Sequence, residues 1–164
     1  MKKNIYDQFW NDVAPYDLRV IRGHLILEEL LNKTVSLLSI DSKYIFKNQI
    51  KFTDKLAIVR SFDESGSQKI WELVDSINKL RNHIAHNLPY NRDQKKINAI
   101  LNYPEIKKFM SEEIYEIIHT ENRESATLTL AFLYIFAFFQ GVIERLSNQK
   151  NQNQELVRPK DPEV

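Results

Sequence analysis

The segment Arg81-Asn82-His83-Ile84-Ala85-His86 gathers a guanidinium, a carboxamide and two imidazoles in a short stretch. An imidazole near neutrality gives and takes protons. A guanidinium is always charged and offers a fork of donors that suits phosphate. Proton transfer beside a bound phosphate is therefore the chemistry these residue types allow. His86 falls in the last turn of a predicted helix, where the helix dipole favours the protonated ring by about 0.3–2 kcal/mol. Asp75, Asn78, Asn82 and His86 recur at three and four residues and form one polar stripe. Arg81 stands five residues before His86, so at about 100° per residue the two side chains leave the helix about 140° apart. One straight helix does not easily aim both at one atom. Either the helix end loosens, or two copies each supply part of one cleft. The plainer account is that Arg81 pairs with a carboxylate and His86 caps a helix C-terminus.

The helix that must carry these residues has the clearest pattern in the chain. Ile70, Leu73, Val74, Ile77, Leu80, Ile84 and Leu88 repeat at three and four from a start near Ser67, and Pro89 disfavours helix at Leu88. A first long helix is predicted over 15–39, opened by Pro15, with an apolar face of Leu18, Ile21, Leu25, Leu30, Leu31, Val35 and Leu38. A short accessory helix follows Thr53, whose hydroxyl can cap it, and carries Leu56, Ile58 and Val59. Residues 63–67 read as a loop, and residues 91–96 are polar and loop-like. Pro104 can open a helix through Ile106, Phe109, Met110, Ile114, Ile117 and Ile118, and an apolar helix follows over 122–146. The expected organisation is an N-terminal arm (1–14), one all-α domain (15–146) and a disordered tail (147–164) rich in Asn, Gln and charge.

Composition narrows the chemistry. The 164 residues fit one domain, 43% hydrophobic and 27% charged. A net charge of +1 provides no broad field for nucleic acid, so any such site is a local patch. The chain has no cysteine, which excludes disulfides, thiolate metal sites and a cysteine nucleophile, and suits a reducing, cytoplasmic compartment. With only three glycines, no Gly-rich phosphate loop is available. The N-terminus lacks the apolar run of a signal peptide. Residues 125–143 carry no charge, yet Ser125, Thr127, Thr129, Gln140 and Gly141 dilute them, and a core helix is expected rather than a membrane span. Glu116-Ile117-Ile118-His119 has the Glu-x-x-His spacing of di-iron bundles, which need two copies where this chain has one. No metal or other cofactor is expected. His24, Trp10, Trp71 and the aromatics from Phe132 to Phe139 are expected to be structural, and His83 to face solvent or an interface.

Leu80-Arg81-Asn82-His83-Ile84-Ala85-His86 resembles the Arg-x4-6-His signature of the HEPN superfamily, in its Arg-Asn-x-x-Ala-His form. The context is similar too: a long helix with Arg22-Gly23-His24-Leu25-Ile26-Leu27-Glu28-Glu29, then Phe52-Thr53-Asp54-Lys55-Leu56, then the motif helix, as in the branch that includes the mannitol operon repressor. The resemblance spans about 15–146. It implies a HEPN-like bundle of four to five helices that dimerises with its motifs facing. It further implies a metal-independent endoribonuclease of toxin–antitoxin or antiphage systems, with RNA as substrate and an antitoxin or other regulatory protein as partner. By that likeness Arg81 would hold the scissile phosphate, His86 would move protons and Asn82 would help to orient them. Where some toxins of the family have tyrosine two residues after the histidine, this chain has Leu88, and its nearest tyrosine is Tyr90. Some members are non-catalytic interaction or regulatory modules, which is the alternative reading.

Overall fold

The computed structural model describes residues 16–39, 41–47, 49–63, 67–86, 93–109 and 123–157. Among them the chain is an all-α bundle: α1 (Tyr16–Leu38), α2 (Ser42–Lys47), α3 (Phe52–Ser61), α4 (Gln68–His86), α5 (Gln94–Leu101), α6 (Pro104–Phe109) and α7 (Arg123–Val157). Helix α1 lies most extensively along α7 and also packs on α3 and α4, while α5 bridges α4 and α7.

The centre is the crossing of α1 and α7. Gly23 sits there because a Cβ at that position would meet the ring of the fully buried Phe132, with Cε2 at 2.6 Å. The buried stripe of α1 accordingly runs through Val20, Gly23, His24, Leu27, Leu30, Leu31, Thr34 and Val35. This corrects the sequence expectation in part: Leu18 and Leu25 are 41% and 56% exposed. Hydropathy favours leucine over glycine and histidine, whereas the close approach of two helices selects the residue without a side chain.

Helix α7 is long and apolar enough over Glu124–Gln152 to cross a membrane by length and composition. Here Ala126, Leu128, Ala131, Phe132, Ile135, Phe136 and Phe139 are buried against the other helices. Trp71 of α4 meets Phe138 and Phe139 edge-on at 5.4 and 5.9 Å, and its Nε1 donates to Asp63 Oδ2 at 2.7 Å. The helix continues to Val157, past the expected end at residue 146 and into the region expected to be disordered. No glycine or proline interrupts 142–157, and Gln, Glu, Lys and Leu propagate a helix already nucleated by packing.

Two starts also differ from expectation. Helix α3 begins at Phe52, so Thr53 lies inside it, and the Asp54 carboxylate accepts from the Lys51 N–H at 3.1 Å. Helix α5 begins within the segment expected to be loop, because Asp93 accepts from the N–H groups of Lys95 and Lys96 at 3.1 and 3.2 Å. Its Ile97 and Ile100 are buried. The expected helix beyond Phe109, with Glu116 and His119, lies outside the described residues, as do Leu88, Tyr90 and the 1–14 arm.

Candidate functional site

Helix α4 is anchored by Ile70, Trp71, Leu73, Val74, Ile77, Leu80 and Ile84, all buried. That anchorage sets the opposite face at its C-terminal end. Taking Asn78 as zero, Arg81 lies about 60° to one side, and Asn82 and His86 about 40° and 80° to the other. Arg81 and Asn82 are half-buried and His86 is exposed. Arg81 Nη1 donates to Asn82 Oδ1 at 3.0 Å. No carboxylate pairs with Arg81 among the described residues, so the plain ion-pair account of this arginine lacks its partner there. The chain is helical through His86, so the divergence of about 140° between Arg81 and His86 is retained.

The structure adds a residue that the sequence reading set aside as structural. His24 of α1, 2% exposed, reaches across to α4 and places Nε2 3.1 Å from Asn78 Oδ1. Its ring lies 4.4 Å from the Phe52 ring of α3, centroid to centroid. One turn further along α1, Glu28 Oε1 accepts from Lys55 Nζ of α3 at 2.7 Å. Thus α1, α3 and α4 meet at His24, directly behind the motif. Burial, the largest influence, pushes the His24 pKa below its ordinary value; the bond to Asn78 opposes this, the Arg81 charge reinforces it and Glu28 opposes it. The imidazole is held neutral, and it donates from Nε2 because a carboxamide oxygen can only accept.

Neither His24 nor Asn78 was singled out as functional by the motif, which begins at Arg81. Asn78 was visible within the polar stripe. For His24, the signal is a polar residue beside glycine, one turn before the apolar Leu27 and one turn after Val20, on the same face as both. Among the described residues no three histidine, aspartate or glutamate side chains gather as a cation site. No protein-family model, curated protein or solved structure matches this chain.

Proposed function

We propose that the chain is a HEPN-type endoribonuclease, acting as a homodimer in the cytoplasm and cleaving RNA without a metal ion, with a restraining antitoxin or other regulatory protein as partner. The observation that carries this reading is a guanidinium without a carboxylate partner among the described residues, held against Asn82 one and a half turns from an exposed imidazole on the same unbroken helix. RNA brings its own nucleophile, the 2′-hydroxyl. The protein must supply a proton carrier and positive charge for the phosphate as it gains charge. The O2′ atom attacks phosphorus, the bond from phosphorus to O5′ breaks, and the proton leaves O2′ while O5′ receives one. His86 carries the protons and Arg81 faces the non-bridging oxygens. Because the two side chains diverge on one helix, a two-fold pair of α4 helices is what brings an Arg81 and a His86 to the same phosphate.

The products are a 2′,3′-cyclic phosphate and a 5′-hydroxyl, and DNA is inert. The test is cleavage of mixed RNA in EDTA by purified protein beside His86→Ala, with circular dichroism confirming that both are folded. Loss of about 10²–10⁴-fold in the variant is expected. Equal cleavage by both would mean a contaminant. Cleavage by neither, with any natural partner removed, would replace this reading by that of a non-catalytic HEPN interaction or regulatory module.

A further inference from the structure

A buried imidazole is an expensive way to fill the space at the junction of α1, α3 and α4. Leucine or phenylalanine would fill it without desolvating two ring nitrogens, and His24 Nδ1 is buried with no hydrogen-bond partner among the described residues. The one polar contact the ring makes among the described residues is Nε2 to Asn78 Oδ1. With Nε2 as donor, Nδ1 is a bare lone pair, the less costly orphan. Protonating it would bury an unpaired N–H beside the Arg81 charge.

Holding Asn78 by its oxygen turns its amide nitrogen away. Asn78 is half-buried and its Nδ2 has no hydrogen-bond partner among the described residues, so its two N–H groups are left to donate. The same happens one turn on. Arg81 holds Asn82 by Oδ1, which leaves the Asn82 amide nitrogen without a partner among the described residues. A free carboxamide can present oxygen or nitrogen to a ligand. Here both carboxamides have their oxygens engaged within the protein, and the guanidinium beside them offers donors only. Asn78 precedes Arg81 by three residues and Asn82 by four, so all three share one face. Three half-buried side chains that turn donors to one face, with the Asp75 carboxylate one turn before them, suit the non-bridging oxygens of a phosphodiester bound at the Arg81 end of the stripe.

We infer that Asn78 is a further phosphate-binding residue of this site, donating from Nδ2 to the backbone of a bound RNA strand, and that His24 is the positioning residue that locks the Asn78 amide in its donor orientation. This inference rests on the ribonuclease reading above.

The test uses full-length protein carrying His86→Ala, so that single-stranded RNA binds without being consumed, and reads affinity by fluorescence anisotropy. Asn78→Asp keeps an oxygen for His24 Nε2 and turns the other oxygen outward. It is expected to weaken RNA binding about 10–100-fold, the loss of a hydrogen bond to a charged group. Arg81→Ala should weaken binding and flatten its salt dependence, whereas Asn78→Ala should weaken it and leave the salt slope unchanged, because asparagine neutralises no phosphate. His24→Phe should weaken binding several-fold when Asn78 is present and add nothing in the Asn78→Ala background, a non-additivity that general loosening of the core would not produce. Urea midpoints confirm that each variant is folded. If Arg81→Ala weakens RNA binding but Asn78→Asp does not, the assignment of Asn78 falls and the ribonuclease reading stands. A His24→Phe effect that persists in Asn78→Ala overturns the positioning role. If inorganic phosphate at matched phosphate concentration displaces the RNA completely, the site takes free phosphate and the assignment to RNA is overturned. If the His86→Ala protein binds no RNA at low salt, both readings fall together.

Discussion

Gly23→Ala tests the contact on which the site depends. In an isolated helix the change would help, since alanine is favoured over glycine by about 1 kcal/mol. In this bundle the new methyl would stand 2.6 Å or less from three atoms of the Phe132 ring. Carbon atoms pack at about 3.5–4.0 Å, so ring and helix must separate by about 1 Å. Phe132 is fully buried and its ring lies 5.7 Å from that of Phe136, so it has no open space to enter. Overpacking of this kind costs about 1–3 kcal/mol. Set against the helix-propensity gain, the net is a destabilisation of up to about 2 kcal/mol. Urea unfolding followed by circular dichroism reads this as a lower midpoint at unchanged slope. Phe132→Leu makes room, so the double variant should lose less than the sum of the singles, with a coupling of about 1 kcal/mol or more. Because Gly23 precedes His24, the same variant should also weaken RNA binding as α1 moves away from Asn78. A Gly23→Ala protein more stable than the parent by the full helix-propensity increment would refute the α1–α7 crossing described here.

Arg81→Lys should cleave RNA poorly at unchanged stability, because a point charge does not replace the planar fork; full activity in the EDTA assay would remove phosphate clamping from the role of Arg81. Sedimentation at micromolar concentration should show a dimer, and a monomer that still cleaves RNA would remove the shared cleft. The His24 pKa in the folded chain lies below its ordinary 6.5, so the unfolded chain binds the extra proton first. The stability this neutral histidine supports is complete above about pH 6.5 and is lost as pH falls toward the folded value, and His24→Gln should show a smaller drop in urea midpoint between pH 7.5 and 5.5. Arg19 is a buried arginine whose Nη1 donates to Thr129 Oγ1 at 2.8 Å, whose Nε has no partner among the described residues and whose pKa is lowered by burial. Thr129 keeps its 2.8 Å bond to the Ser125 carbonyl without it, so Arg19→Met should raise stability by about 1 kcal/mol or more; a large loss would show that the charge is compensated.

The all-α character, the course of α4 and the polar stripe holding Asp75, Asn78, Asn82 and His86 were legible in the sequence. The physical reason is that each follows from local periodicity: apolar residues at three and four make one face, and what lies between them makes the other. Proline and glycine scarcity and the uncharged run of α7 also read directly. The start of α5 was legible in principle, through the capping aspartate and the spacing of Ile97 and Ile100, and was masked by the polar residues around it. What only the tertiary structure decided is which face of α1 turns inward. That face is chosen by the approach of Phe132, a residue more than a hundred positions away, which places Gly23 and His24 in the core and leaves Leu18 and Leu25 outside. The bond from His24 to Asn78 is a consequence of that choice, joining residues 54 positions apart. No periodicity within either helix contains it, because a periodic pattern reports that a face is buried but not what is buried against it.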